Sequence, residues 1–193
     1  GGGRSPSPEV SMRRSILPGL AVALLAGGAA ATVVVRLDLP ALTSRSEAIL
    51  EGKCLSTRSV LDGAGNIATA VRVEVSRAFK GTAGEIEFRI PGGVIGDRGL
   101  LVPGMPAFSV GEEVLLFLTP ESSTGIRLPV GLGQGKFRIE RDPVTGGKAL
   151  VRSLGGVRLL DPATGEAVPG PGEERFEYGA LTALVERLVR EGR

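Results

Sequence analysis

The sequence predicts a mainly β protein, an antiparallel barrel with a C-terminal amphipathic helix, and three observations carry that prediction. Val71, Val73 and Val75 alternate with Arg72, Glu74 and Ser76, which is the two-residue period of a half-buried strand. The 30 glycines and 13 prolines punctuate short apolar runs with no collagen-like period, as in a domain of many strands and turns. Near the C-terminus the period changes. Leu181, Leu184, Val185, Leu188 and Val189 share one helical stripe, with Glu186, Arg187 and Arg190 outside it.

Taken in order, residues 41–48 approach the first strand, with room for one helical turn. Residues 46–59 form a long strand with Gly52 inside it, and an interior glycine marks a bulge or bend. Residues 62–66, rich in Gly, Asp and Asn, suit a tight turn that folds this strand back onto 67–79. After a turn at 81–84, Ile86, Phe88 and Ile90 alternate with charges in a third strand that Pro91 ends. Residues 111–119 are nearly continuously apolar after an acidic start, the pattern of a central strand buried on both faces. Pro129 confines 126–130 to an edge or irregular strand. Residues 135–140 and 149–152 flank a turn at 142–147 and form a hairpin. Residues 157–160 and 167–168 make a small outlying hairpin, followed by a Pro/Gly linker and the helix at 176–190.

Between the third strand and the central strand lies the long segment 92–110. Glycines at 92, 93, 96, 99 and 104 and prolines at 103 and 106 interrupt it. Loops this long inside a compact domain are commonly functional or mobile. Its candidate ligand-facing residues are Val94, Ile95, Asp97, Arg98, Leu100, Leu101 and Met105, against the plainer expectation of a cover over one barrel end.

Met12-Arg13-Arg14, the apolar run 16–31 and Ala29-x-Ala31 have the form of a secretory signal peptide cut after Ala31. Upstream, residues 1–11 form a disordered prefix or an over-extended start. The alternative is an uncleaved inner-membrane anchor over residues 16–35. The expected organisation is therefore 1–31 prefix and signal peptide (or an anchor to 35), 32–156 barrel, 157–174 hairpin and linker, and 175–193 helix. The location is secreted or periplasmic, with ordinary unfolded export preferred over the twin-arginine route. Residues 1–31 hold Arg4, Arg13 and Arg14 against Glu9, so the remainder balances 20 basic with 20 acidic residues. A nucleic-acid binder keeps a basic excess on its folded part, so nucleic acid is set aside as a partner.

The chain has no histidine and one cysteine, Cys54. Ser-His-Asp and Cys-His catalysis, His-ligated zinc, thiolate clusters and intramolecular disulfides are thereby excluded. Cys54 falls in an alternating segment and is expected to be a small buried hydrophobe rather than a nucleophile or an intermolecular bridge. Residues 131–136 (Gly-Leu-Gly-Gln-Gly-Lys) lack both the first glycine and the Ser/Thr of a phosphate loop, and a strand follows instead of a helix. Glu112 and Glu113 must point to opposite faces of a strand, and Glu85 and Glu87 lie on the solvent side. No catalytic residue, cofactor or metal site is expected.

The order of an alternating strand, Phe79-Lys80-Gly81, Gly84 with a further strand, and a late Gly111-Glu-x-Val-Leu-Leu-Phe-Leu118 strand resembles uncharacterised secreted bacterial proteins. These in turn are similar to the netrin-type module, the OB-fold barrel shared with tissue inhibitors of metalloproteinases. The resemblance spans residues 47–152 and rests on Ala48–Gly52, Val71–Gly81, Gly111–Leu118 and Gly131–Phe137. It implies an OB-like barrel. The inhibitors' N-terminal cysteine on the protease zinc has no counterpart, because Cys54 is neither terminal nor pairable. The resulting expectation is a non-catalytic extracytoplasmic module binding a protein or glycan. Behind it stand a secreted metalloprotease inhibitor or accessory protein, and then a carboxylate-dependent hydrolase. Membrane contact is expected only if the leader is uncleaved, or in lesser measure through the C-terminal helix.

Overall fold

The computed structural model describes residues 1–2 and 32–192; the signal-peptide and prefix expectations fall on residues 3–31, outside the described residues. Residues 32–192 form one compact unit. It is mainly β with a C-terminal helix. In chain order the elements are β1 (Thr32–Val35), α1 (Leu39–Arg45), β2 (Ala48–Leu61), β3 (Ile67–Lys80), β4 (Gly84–Pro91), β5 (Gly93–Ile95), β6 (Arg98–Leu100), β7 (Glu113–Leu118), β8 (Lys136–Arg141), β9 (Lys148–Ser153), β10 (Val157–Leu160), β11 (Ala167–Pro169), β12 (Glu173–Glu177) and α2 (Tyr178–Glu191).

Seven strands build one sheet in the order β12-β9-β8-β7-β2-β3-β4. The two 14-residue strands β2 and β3 form its long hairpin. Register shifts at Ile49/Leu50, Glu51/Gly52 and Cys54/Ser56 coil it, and the bulge expected at Gly52 is among them. β7 carries Val114 to Leu118 fully buried, as its continuous apolar run predicts. Val114, Leu116 and Leu118 face an inner core with Leu50, Val71, Val73 and Phe88. Leu115 and Phe117 face an outer core with Ile49, Phe137 and Leu150, covered by α1 and α2. Burying each such side chain is worth roughly 1.5–3 kcal/mol, so β7 is the seam between the two cores.

The ladders do not close the sheet into a continuous barrel; β12 and β4 are its edges. Residues 126–130 nevertheless tie β4 towards β7. Ile126 bridges Arg89 in parallel and Pro129 bridges Leu118 antiparallel. The N–H of Arg127 donates to the Arg89 carbonyl (2.9 Å), and that of Val130 to the Phe117 carbonyl (2.7 Å). Pro129 lacks an amide donor, which keeps this segment to isolated bridges.

The hairpin expected at 157–168 forms in a three-stranded sheet separate from the seven-stranded one: β10 pairs antiparallel with β11 and, unforeseen, in parallel with β1, and Leu154, Val157 and Leu159 form a third apolar cluster. The C-terminal segment corrects the expected boundaries. Residues 173–177 belong neither to a linker nor to the helix. They form β12, with Phe176 opposite Leu150 and stacked edge-on against Phe137. The helix accordingly starts at Tyr178, where the Glu177 carboxylate accepts from the N–H groups of Gly179 and Ala180. Those two amides hold the Glu177 carboxyl below its usual range. Residues 32–35, counted in the alternative anchor, are a strand; no helix among the described residues is long and apolar enough to cross a membrane.

Candidate functional site

The segment 92–110 contains structure of its own. β5 and β6 pair as a short hairpin, Gly93 opposite Leu100 and Ile95 opposite Arg98. The hairpin is moored to the far end of the β2–β3 ribbon. Gly92 N–H donates to the Ile67 carbonyl (3.0 Å), Thr69 Oγ1 to the Gly92 carbonyl (2.7 Å) and Val94 N–H to Ser59 Oγ (3.1 Å). Gly93 sits at φ +137°, and a Cβ there would lie 2.8 Å from Ser59 Oγ, so only glycine allows this approach. At the same end the N–H of Gly63 reaches the Thr124 carbonyl (3.0 Å). The 62–66 turn, the 119–125 loop and the hairpin thus gather at one end of the molecule.

Leu101 is 88% exposed and Val94 66%, and Ile95 and Leu100 are also open to solvent. Four exposed aliphatics thus fall within eight residues of this segment. A groove of about 370 Å³ lies between the hairpin and residues 102–108, lined by Arg58, Ile90, Leu100, Leu101, Met105 and Phe108. Of the seven residues singled out from sequence, Leu100, Leu101 and Met105 meet in this groove. Val94, Ile95, Asp97 and Arg98 lie on the hairpin outside it. Met105 also packs with Phe108 onto the inner core, so the segment is both a cover and an exposed face.

What holds the cover down was not legible in the sequence. Lys136, 8% exposed, donates through Nζ to the Ala107 carbonyl and to Glu112 Oε1 (2.7 Å), and lies 4.5 Å from the Phe108 ring centroid. Glu112 Oε1 in turn accepts from Ser109 N–H (2.9 Å). Burial pushes the Lys136 ammonium below its ordinary range although Glu112 acts in the opposite direction. Cys54 is buried beside this pair, and burial together with Glu112 raises its thiol. That environment suits an inert core cysteine and opposes a nucleophile.

A second depression lies at the other end of β2 and β3. Glu51 shares the outer-core face with Ile49 yet carries a carboxylate there, 7% exposed. The bulge beside it is close-packed: a Cβ on Gly52 would lie 2.3 Å from the Glu74 carbonyl oxygen. Tyr178 donates its hydroxyl to Glu51 Oε2 (2.6 Å). Lys148 Nζ lies 3.6 Å from Glu51 Oε1 and 3.8 Å from Glu113 Oε2, and 5.0 Å from the Tyr178 ring centroid. As the strand alternation requires, Glu112 and Glu113 diverge, one to Lys136 and one to Lys148. Glu85 and Glu87 are exposed and paired with Arg72 and Arg58. Among the described residues no group of three or more acidic or cysteine ligands is placed to hold a metal ion.

Set against known proteins, the chain matches no family model and no curated protein, so the molecule's own geometry is what bears on its function.

Proposed function

We propose that this protein is an extracytoplasmic, non-catalytic β module that binds a partner protein through the apolar end formed by the β5–β6 hairpin and the groove beside it. The carrying observation is the exposed aliphatic set Val94, Ile95, Leu100 and Leu101, mounted on a hairpin whose base is fixed by three hydrogen bonds. A rigid apolar projection costs little ordering entropy on docking. Its aliphatic character favours a protein over a glycan, which is usually gripped by aromatic platforms and polar side chains.

The OB-like, netrin-type reading is supported by the five-segment arrangement β2, β3, β4, 126–130 and β7, a small partly open barrel whose connecting loops cluster at one end. Fold analogy alone names no ligand. Delivery outside the cytoplasm is supported by the leader pattern. With 32–35 taken up by β1, the apolar run left for an anchor is 16–31, short of the roughly 20 residues a membrane helix needs. Mass spectrometry of the protein from its native envelope is expected to find Thr32 as the first residue.

The experiment that tests the binding reading places a photoreactive amino acid at Leu101 and, as a control, at Val144. Val144 is 90% exposed in the β8–β9 turn. The expected result is one dominant cross-linked protein from position 101 and none from 144; equal or absent cross-linking at both positions counts against it. A second reading, inhibition of a secreted metalloprotease, draws on the same hairpin, whose Ile95–Arg98 tip is a tight two-residue turn. Cys54 is buried in the inner core and takes no part in either reading. Assay of the purified protein against a panel of secreted zinc proteases separates the two.

A further inference from the structure

We infer that the partner protein at the apolar end contributes an extended strand, aliphatic at every second residue, that pairs with the open edge of β2 between Leu55 and Leu61; this rests on the apolar-end reading for where the partner sits. β2 is 14 residues long, but β7 pairs with it only from Ala48 to Lys53. The last backbone contact on that side is at Cys54, whose N–H donates to the Glu112 carbonyl (2.9 Å) and whose carbonyl accepts from the Gly111 N–H (2.8 Å). Beyond it β2 is laddered to β3 alone.

Antiparallel ladders bond through alternate residues. At the tip of the ribbon the Asp62 N–H donates to the Asn66 carbonyl (2.8 Å), so in that register Val60, Arg58 and Ser56 turn their backbone groups to β3. Thr57, Ser59 and Leu61 turn theirs outward, and none of these N–H and C=O groups has a partner among the described residues. Such a row is a template for an added strand. The two end strands of the sheet are blunted: β12 is charged at four of five positions, and β4 carries Glu85, Glu87 and Pro91. Leu55 to Leu61 holds neither proline nor lysine. Its one charge, Arg58, is drawn across to Glu87 (3.0 Å).

The groove beside this edge sets the side chains of the added strand. Thr57 lies opposite Val71 of the inner core, and Ser59 opposite Thr69. The residues with outward backbone are thus the ones whose side chains face the groove, and Thr57 and Ser59 both line it. Directly paired residues share a face. Partner residues that hydrogen-bond to Thr57 and Ser59 therefore send their side chains into the groove, towards Leu100, Leu101, Met105 and Phe108. That wall takes aliphatic side chains. The hairpin reaches the same edge: β4 ends opposite Ala68 on β3, and Val94 N–H meets Ser59 Oγ on β2, which brings the exposed Val94 and Ile95 beside it.

The test titrates the isotope-labelled full chain with the end-capped peptide Lys-Thr-Val-Thr-Leu-Thr-Val-Lys, and with the same peptide N-methylated at its Val and Leu residues, which cannot donate to the edge. In the free chain the amides of Thr57, Ser59 and Leu61 are expected to exchange fast beside slow Arg58 and Val60. The expected result is saturable binding that slows exchange at Thr57 and Ser59, and at least about tenfold weaker binding of the methylated peptide. Thr57→Pro, which removes one outward donor and leaves the ladder to β3, is expected to weaken binding at least about fivefold. Should that variant fail to fold, the two peptides decide alone. No saturation, equal affinities of the two peptides, or outward amides already slow in a free monomer would overturn the inference. A dimer of the chain alone with those amides protected also overturns it, since a second copy then fills the edge. Cross-linking of a partner at Leu101 with fast amides at Thr57 and Ser59 in the complex overturns the added strand and leaves the apolar-end reading standing; no cross-linking at Leu101 overturns both.

Discussion

Gly52 and Tyr178 show how single residues set the geometry on which the rest depends. At Gly52 the β3 backbone approaches so closely that any side chain collides with the Glu74 carbonyl. Gly52→Ala is therefore expected to destabilise the protein by about 1–3 kcal/mol, read as a lowered urea midpoint with an unchanged m-value. Tyr178 lies against Glu51 and over the end of the outer core. Burial, and after it the Glu51 carboxylate, push its phenol above the ordinary value, while Arg77 acts the other way. Because the folded value is the raised one, the associated stability is present below an unfolded tyrosine's pKa of about 10 and is lost as pH rises through the folded value. Absorbance at 295 nm, reporting a single tyrosine, is expected to show ionisation later than in the urea-unfolded chain. Glu51→Gln should move it back down. Gly52 was legible as a bulge from the sequence alone, since glycine inside an alternating run has few other uses. Glu51 was not, because its burial arises only when β9 and α2, about a hundred residues later, are laid over it.

At the level of elements, the clearest strands were those whose pattern is local. The alternation of Val71, Val73 and Val75, the Ile86-Phe88-Ile90 face and the unbroken apolar run of β7 each specify a strand without reference to a partner. β12 was missed because Glu173 to Glu177 is charged at four of five positions. What makes it a strand is the pairing of Phe176 with Leu150 and the ion pair of Glu174 with Arg152. β1 was missed because its valines continue the apolar leader. The cover formed by residues 102–110 belongs here too, since its anchor is a contact between elements, 24 residues apart in sequence. Lys136→Met leaves Glu112 half-buried without its partner, and breaking such a pair costs on the order of 3 kcal/mol. The variant is expected to lose about that much in urea unfolding and to show faster amide exchange confined to residues 105–111. Lys136→Met with Glu112→Gln is expected to recover most of the loss, which a purely steric role for the lysine would not produce.

For the whole molecule, the division of labour follows from the two cores. The outer core, covered by α1 and α2, makes the sheet rigid and hides one face. The inner core fills the curled half and leaves its loops gathered at one end. Four of the exposed aliphatics, Val94, Ile95, Leu100 and Leu101, fall on or beside the hairpin at that end, outside the two main cores. Substitution there is expected to leave stability within about 0.5 kcal/mol of wild type while removing docking area. The sequence marked this segment by its length and its glycines, but not which of its seven candidates would meet in the groove, since that depends on how the hairpin is moored to Ser59 and Thr69. The most direct test is the affinity of the double variant Val94→Asp with Leu101→Asp for the protein cross-linked at position 101, beside Val144→Asp as the control. An apolar docking end predicts at least a tenfold loss for the double variant, no loss for the control, and equal melting temperatures. Equal affinity for both would place the binding surface elsewhere.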